Sequence, residues 1–251
     1  MEIIKADLFG SRFGTGITAP IIGTLHAVLK SSSPDDPYLI ANEYIAAELA
    51  RWLRLPAPPF CVTQDSERRL YFASLNFNLT GLALPPIIPN HFHNTFPRKA
   101  GAIVAFDVYI ANSDRHAQNL CADYSSSPAR YNLFDHSHAL LGSTTDGPTG
   151  EERLGLAENR LGIDGLLGGK GHCLTSCIVD DEDFMEMLKR IADLRDYLLE
   201  DLIESAGILG VPTRLGHRLL EFLRRRRGKI RHLILENKEA FSNVRQWRLR
   251  T

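Results

Sequence analysis

A run of twelve mostly apolar residues, Ala100 to Ala111, stops abruptly at Asn112-Ser113-Asp114. The run is long enough for a buried helix, and the residues that end it favour loops. Leu120-Cys121-Ala122 and Tyr131-Asn132-Leu133-Phe134 then read as two short strands, with Ser125-Ser126-Ser127-Pro128 as the turn between them. The order is helix, polar loop, strand, turn, strand. It places Asp114 and Asn119 in the loop and Asp135 at the end of the second strand.

Those residue types suit phosphoryl transfer. The reaction asks a protein for positioning and for positive charge against phosphate oxygens, with little covalent chemistry. Magnesium is a hard cation that takes oxygen ligands. The carboxylate of Asp135 and the amide oxygen of Asn119 suit it, with phosphate and water completing the shell. Asp114 is then left to orient a substrate hydroxyl and accept its proton. Asp and Asn are also common in loops because they hydrogen-bond nearby backbone. Here the spacing, the second carboxylate and the hairpin context favour the functional reading.

The pattern Asn112-x-Asp114-Arg115-His116-x-x-Asn119, followed by Phe134-Asp135-His136, resembles the HipA-like kinases, a bacterial branch of the protein-kinase superfamily. The Asp-Arg-His order is also similar to that of the phosphatidylinositol kinases. Upstream, His26-Ala27-Val28-Leu29-Lys30 looks like the strand whose lysine touches nucleotide phosphates. Asn42 to Ala50 looks like the helix whose glutamate pairs with that lysine, and Leu53-Arg54-Leu55-Pro56-Ala57-Pro58 like the exit from that helix. The resemblance spans about residues 10 to 140 and implies an α+β, bilobal protein-kinase-like fold using ATP and Mg2+. By the same resemblance Asp114, Asn119 and Asp135 are catalytic, Asn119 and Asp135 are metal ligands, and Lys30 and Glu43 serve the nucleotide.

Lys30 also has a physical reason of its own. A lysine ending a mostly apolar strand is half-buried and needs an anion, unless it simply snorkels to the surface. Glu43 and Glu48 lie five residues apart, offset around one helix, so only one of them faces Lys30 well. Glu43 follows Asn42 as in the family pattern and is the expected partner. Gly10 to Gly16 can form a loop in which the backbone at Gly14 and Gly16 approaches phosphates, or an ordinary turn. The resemblance adds autophosphorylation in this loop, with Ser11, Thr15 and Thr18 as candidates. The strand Leu70-Tyr71-Phe72-Ala73 should lead to an adenine hinge, but Ser74 to Asn78 lacks the acidic residue many relatives carry there.

Composition sets the bounds. With 44% apolar and 24% charged residues the chain reads as an ordinary soluble globule, and no apolar run reaches the ~18 residues of a membrane span. The N-terminus is too charged for a signal peptide, so a cytoplasmic location is expected. Cys61, Cys121, Cys173 and Cys177 are expected as free thiols. His172 to Cys177 lacks a second ligand pair for zinc. His136 and His138 flank the metal aspartate and suit loop geometry better than magnesium ligation.

Residues 1–78 read as a strand-rich N-lobe with a helix at about Pro37 to Leu53, and residues 79–251 as a C-lobe. Leu79 to Pro97 reads as a connector, extended over Leu84 to Pro89, and Gly142 to Gly150 as a flexible break. Helices follow at Asp180 to Ala192, at Asp193 to Ala206 ending on Gly207, and from Val211-Pro212-Thr213 to about Leu235. The last carries Arg224-Arg225-Arg226-Arg227. From Arg214 onward twelve Lys and Arg face three Glu, near +9 in a chain of net charge −1. Such asymmetry fits nucleic acid or an acidic partner, but a solvated or internally docked face is favoured in the absence of interleaved aromatics.

The chain is therefore expected to phosphorylate a protein serine or threonine, with a small-molecule or lipid hydroxyl as the alternative substrate. A pseudokinase or a binding module acting through the basic helix is the non-enzyme alternative. Relatives pair with antitoxins through an added N-terminal subdomain. This chain is too short for it, so a stand-alone kinase or another regulatory partner is expected.

Overall fold

Strands come first. A computed structural model describes residues 8–12, 21–75, 85–163 and 171–250; Gly14, Gly16, Thr15, Thr18 and Asn76 to Asn78 lie outside them. Strand β1 (Leu8–Arg12) pairs antiparallel with β2 (Ile21–Thr24). Strand β3 (Ala27–Lys30) is followed by helix α1 (Leu39–Trp52), β4 (Phe60–Gln64) and β5 (Leu70–Leu75). β5 is the middle strand of an antiparallel sheet ordered β3-β5-β4, which sets Lys30 opposite Phe72. Phe72 is buried, stacks on Phe60 and packs against Ile40 and Ala47 of α1.

α1 is rich in alanine and leucine, good helix formers. Its buried positions run right around it and include Asn42 and Glu43. A helix buried on all sides is wedged between layers, and its two buried polar side chains must find partners there. The helix stops ahead of Leu55-Pro56, where Arg54 takes a positive φ of 59° and proline cannot continue the ladder.

Among its described residues, the stretch expected to be extended, Leu84 to Pro89, is so up to its last. Pro85 to Ile88 is non-helical, but Pro89 opens a short helix, α2 (Pro89–Thr95). Proline at the first helical position lacks an N–H that would go unbonded anyway, so it starts a helix as readily as it ends one. α3 (Lys99–Tyr109) is the expected apolar helix, with every residue from Ala100 to Tyr109 buried. A Cβ on Gly101 would lie 2.5 Å from the Asp183 Cβ, so glycine allows the close crossing of α3 and a later helix. The hairpin β6 (Leu120–Asp123) and β7 (Arg130–Leu133) then pairs Leu120 with Leu133.

The expected break at Gly142 to Gly150 instead holds a 3-10 turn, Thr144–Asp146, and leads into α4 (Gly150–Ala157). α5 (Glu182–Ala192) is as expected. α6 (Asp196–Ile208) starts later and runs through Gly207, and the turn is made by Gly210 at φ 92°. α7 (Thr213–Glu236) buries Leu215, Leu219, Phe222, Leu223, Ile230 and Leu233. Among the described residues no helix is long and apolar enough to cross a membrane.

The arginine run on α7 is spent inside the molecule. Arg224 reaches Asp196 and Glu200, Arg225 pairs with Glu158 at 2.7 Å, and Arg227 binds Asp196 and the Leu194 carbonyl. Arg226 is fully buried.

Candidate active site

Lys30 ends β3 between two carboxylates. Its Nζ donates to Glu43 Oε1 at 2.5 Å and to Asp135 Oδ1 at 2.7 Å. Burial opposes charge on all three groups, but pairing prevails. Burial works to lower the Lys30 pKa, yet Glu43 and Asp135 raise it overall. Burial works to raise Glu43, yet the hydrogen bond from His136 and the Lys30 charge bring it below the usual carboxylate range. Burial likewise works against Asp135, and the Lys30 ammonium outweighs it, holding Asp135 down to about 2. All three are charged at neutral pH. Glu48 pairs instead with Arg51 on the same helix.

The two polar residues of α1 dock it onto the segment after Asp135. Asn42 Nδ2 donates to the carbonyls of Ser137 and Gly142, and its Oδ1 accepts from Leu141 N–H. Glu43 Oε2 accepts from His136 N–H at 3.1 Å. So Glu43 faces Lys30 with one oxygen and the segment after Asp135 with the other. Asp135 sits two residues past β7 with φ 59°, a left-handed conformation that Asp adopts more readily than most side chains. Such backbone is retained where the surroundings over-determine it, and functional sites are common places for it.

Asp114 and Asn119 meet across their loop. Asn119 Nδ2 donates to the Asp114 carbonyl at 2.8 Å and to its Oδ2 at 3.2 Å. With both N–H groups turned to Asp114, the amide offers a cation only its oxygen. Asn112 Oδ1 accepts from Asp114 N–H, and Asn112 Nδ2 donates to Asp107 Oδ1 at 2.9 Å.

Asp107 is the floor of the site. It lies fully buried on α3, facing Arg115, Asn112 and the His172 ring at 2.9 Å. Burial pushes its carboxyl up, but the Arg115 guanidinium holds it well below the usual range. His172 is pushed down by burial, against the pull of Asp107. The histidine of the His172 to Cys177 stretch thus serves an internal carboxylate, and burial pushes the Cys173 thiol up to about 12.

The segment expected to be a flexible break is tied to both sides of the site. Ser143 Oγ donates to Asp36, and Thr144 Oγ1 to the Asp35 carbonyl. Asp146 accepts from Ser113 Oγ at 2.6 Å and lies 2.8 Å from His138 Nδ1. The hydrogen bond to Asp146 raises the His138 pKa against the effect of burial.

Sequence reasoning paired Lys30 with Glu43 and grouped Asp114, Asn119 and Asp135; the structure brings Asp135 to Lys30 and Glu43, and Asn119 to Asp114. Gly14 and Gly16 fall outside the described residues. It passed over Asn42, Asp107, Arg115 and His172 as site-builders. One signal was there: Asp107 is a lone carboxylate in the apolar run of α3, and a charge placed so must be paired.

No protein-family model and no curated protein matches the chain. Among solved structures it is similar to the Helicobacter pylori proinflammatory kinase CtkA, at 12% identity and a TM-score of 0.54, over 92% of this chain and 94% of that one. It is also similar to a HipA, HipB and operator DNA complex of the Shewanella oneidensis MR-1 toxin–antitoxin system. That match has 11% identity and a TM-score of 0.46, over 96% of this chain and 67% of that one. The first likeness establishes a kinase fold: a small antiparallel sheet region and a mostly helical remainder. At that identity it establishes the fold alone.

Proposed function

We propose that this protein is a HipA-like kinase that transfers the γ-phosphoryl group of ATP, with Mg2+, to the hydroxyl of a protein serine or threonine. The observation that carries the reading is the Lys30 ammonium held between buried Glu43 and Asp135. A fixed cation beside a carboxylate at the end of a strand supports a site for phosphate and metal.

The residues present fit magnesium. Asp135 Oδ1 is engaged by Lys30 and Ser137, while its Oδ2 accepts no hydrogen bond from a described residue. That oxygen and Asn119 Oδ1 are the two that would hold the ion, and a site of one or two protein oxygens plus phosphate is what Mg2+ takes. Bound there, the metal would neutralise charge on the phosphates. Glu43 keeps Lys30 charged and aimed at the nucleotide. Asp114, fixed by Asn119, orients the acceptor hydroxyl and takes its proton. The reading extends to transfer onto the chain's own Ser11, Thr15 or Thr18.

Intact-mass analysis and ATP turnover with Mg2+ test it. Wild type should gain phosphate or consume ATP. Asp114→Ala should lower turnover about 10²–10⁴-fold with Mg–ATP binding retained. Asp135→Ala should lose both turnover and metal-dependent binding. Phosphorylation by Asp135→Ala at the wild-type rate would sink the assignment.

A further inference from the structure

Arg115 joins the two halves of the site through one side chain. It is 1% exposed, and its donors divide between two jobs. Nε donates to Asp107 Oδ2 at 2.9 Å and Nη2 to Oδ1 at 3.2 Å, which locks the guanidinium to α3. Nη1 donates at 2.7 Å to the Asn119 carbonyl and at 2.7 Å to the Phe134 carbonyl. One acceptor is the backbone of Asn119 itself, and the other belongs to the residue before Asp135.

The hairpin explains why such a tie is needed. The β6–β7 ladder ends at Leu120 opposite Leu133, so Asn119 and Phe134 face each other just beyond it. A long backbone bond, Phe134 N–H to the Asn119 carbonyl at 3.4 Å, links them directly. The ladder cannot continue, because Asp135 turns to a positive φ. Arg115 closes this open end in place of further backbone pairing. Its own place is set by Asp107, which Asn112 and His172 hold in turn. The Arg115 carbonyl accepts from Cys173 N–H at 3.0 Å, fixing the loop from its other side.

We infer that Arg115, clamped by Asp107, is a positioning residue that sets the spacing of the Asn119 and Asp135 oxygens and so makes the site select small divalent cations. The inference rests on the kinase reading above. Mg2+ demands short, near-octahedral oxygen contacts, whereas Ca2+ accepts longer and more flexible ones. A spacing held rigid favours the first, and a spacing allowed to drift gives that preference up. Lysine keeps the charge but lacks the planar fork, so it cannot grip a carboxylate and two carbonyls together.

The test uses the full chain and a fluorescent, non-hydrolysable ATP analogue, titrated with MgCl2 or with CaCl2. Wild type should bind the analogue more tightly with Mg2+ than with Ca2+. In Arg115→Lys the apparent Mg2+ affinity should fall about 10–100-fold, as when other groups that orient metal ligands are removed. Ca2+ affinity should fall distinctly less, so the Mg2+-to-Ca2+ ratio drops. Asp107→Asn, which keeps the shape, carries the same test if Arg115→Lys does not fold; thermal denaturation reports folding for both. A ratio equal to wild type in a folded variant overturns the inference, because a merely structural anchor would weaken both ions alike. Metal-independent behaviour of the wild type would instead overturn the kinase reading, so the two failures are distinct.

Discussion

Arg115 and Arg226 are buried to the same degree, at 1% and 0% exposure, and are held by opposite means. Arg115 faces the Asp107 carboxylate at 2.9 Å, and this pairing raises its pKa in spite of burial. Among the described residues Arg226 pairs with no carboxylate. Its guanidinium donates to the carbonyls of Val108, Tyr109, Ala157, Arg160 and Leu161. Val108 and Tyr109 belong to the last turn of α3 and Ala157 ends α4, so the cation sits at the negative ends of two helix dipoles. Burial lowers its pKa to about 9, which leaves it charged at neutral pH. One arginine welds helices together. The other, locked to a carboxylate, ties α3 to the loops of Asn119 and Asp135. Burial of a charge therefore says little about function; the identity and attachment of its partners says more.

The largest effect should come from Arg226→Ala. It strips donors from carbonyls at the ends of α3 and α4 and should cost about 3 kcal/mol or more in urea unfolding. The folded molecules should still bind Mg–nucleotide like wild type. A loss below about 1 kcal/mol would break the comparison, since the carbonyls would then not depend on the cation.

A smaller effect sharpens the electrostatic side. Asp135 has a folded pKa of about 2 against an ordinary 3.8. A depressed carboxyl contributes stability above its ordinary value and loses it as the pH falls toward the folded one. Its side chain is 36% exposed, so solvent screening reduces the contribution to about 1 kcal/mol. Wild type should thus exceed Asp135→Asn in urea resistance near neutral pH, with the gap narrowing as the pH falls below about 4. A gap that stays constant with pH would mean that the ion pair with Lys30 is not its source.

The smallest effect is expected for Arg225→Ala. Its side chain is 52% exposed and pairs with Glu158 at the surface, so its loss should change stability by less than about 1 kcal/mol. A larger loss would show that the neighbouring arginines act as a unit with Arg226.

Much of this was legible in the residues. The apolar run predicted α3, and the polar residues after it predicted the loop. The alternation of turn and strand residues located the β6–β7 hairpin. Lys30 with Glu43 was legible because a charge at the end of an apolar strand needs a partner, and the Asn-Glu order chose between two glutamates. The misses share a physical origin. Pro89 was read as the end of an extended stretch, although it starts α2. The glycines and threonines of 142–150 were read as a break, although Ser143, Thr144 and Asp146 bond to distant residues. Local propensity cannot register bonds made across a hundred residues of chain.

The arginine run shows the division most plainly. Sequence alone determined that α7 would be a long helix with an apolar stripe and a cluster of positive charge, because periodicity and charge are local properties. Only the tertiary structure decided that Arg226 turns inward while Arg224, Arg225 and Arg227 meet acids on neighbouring segments. The same holds for the site. The residues themselves determined which oxygens and which ammonium were available for the chemistry. Folding decided that Asp107 and Arg115 hold the Asn119 and Asp135 loops together, because those bonds link segments that only packing around α3 brings within reach.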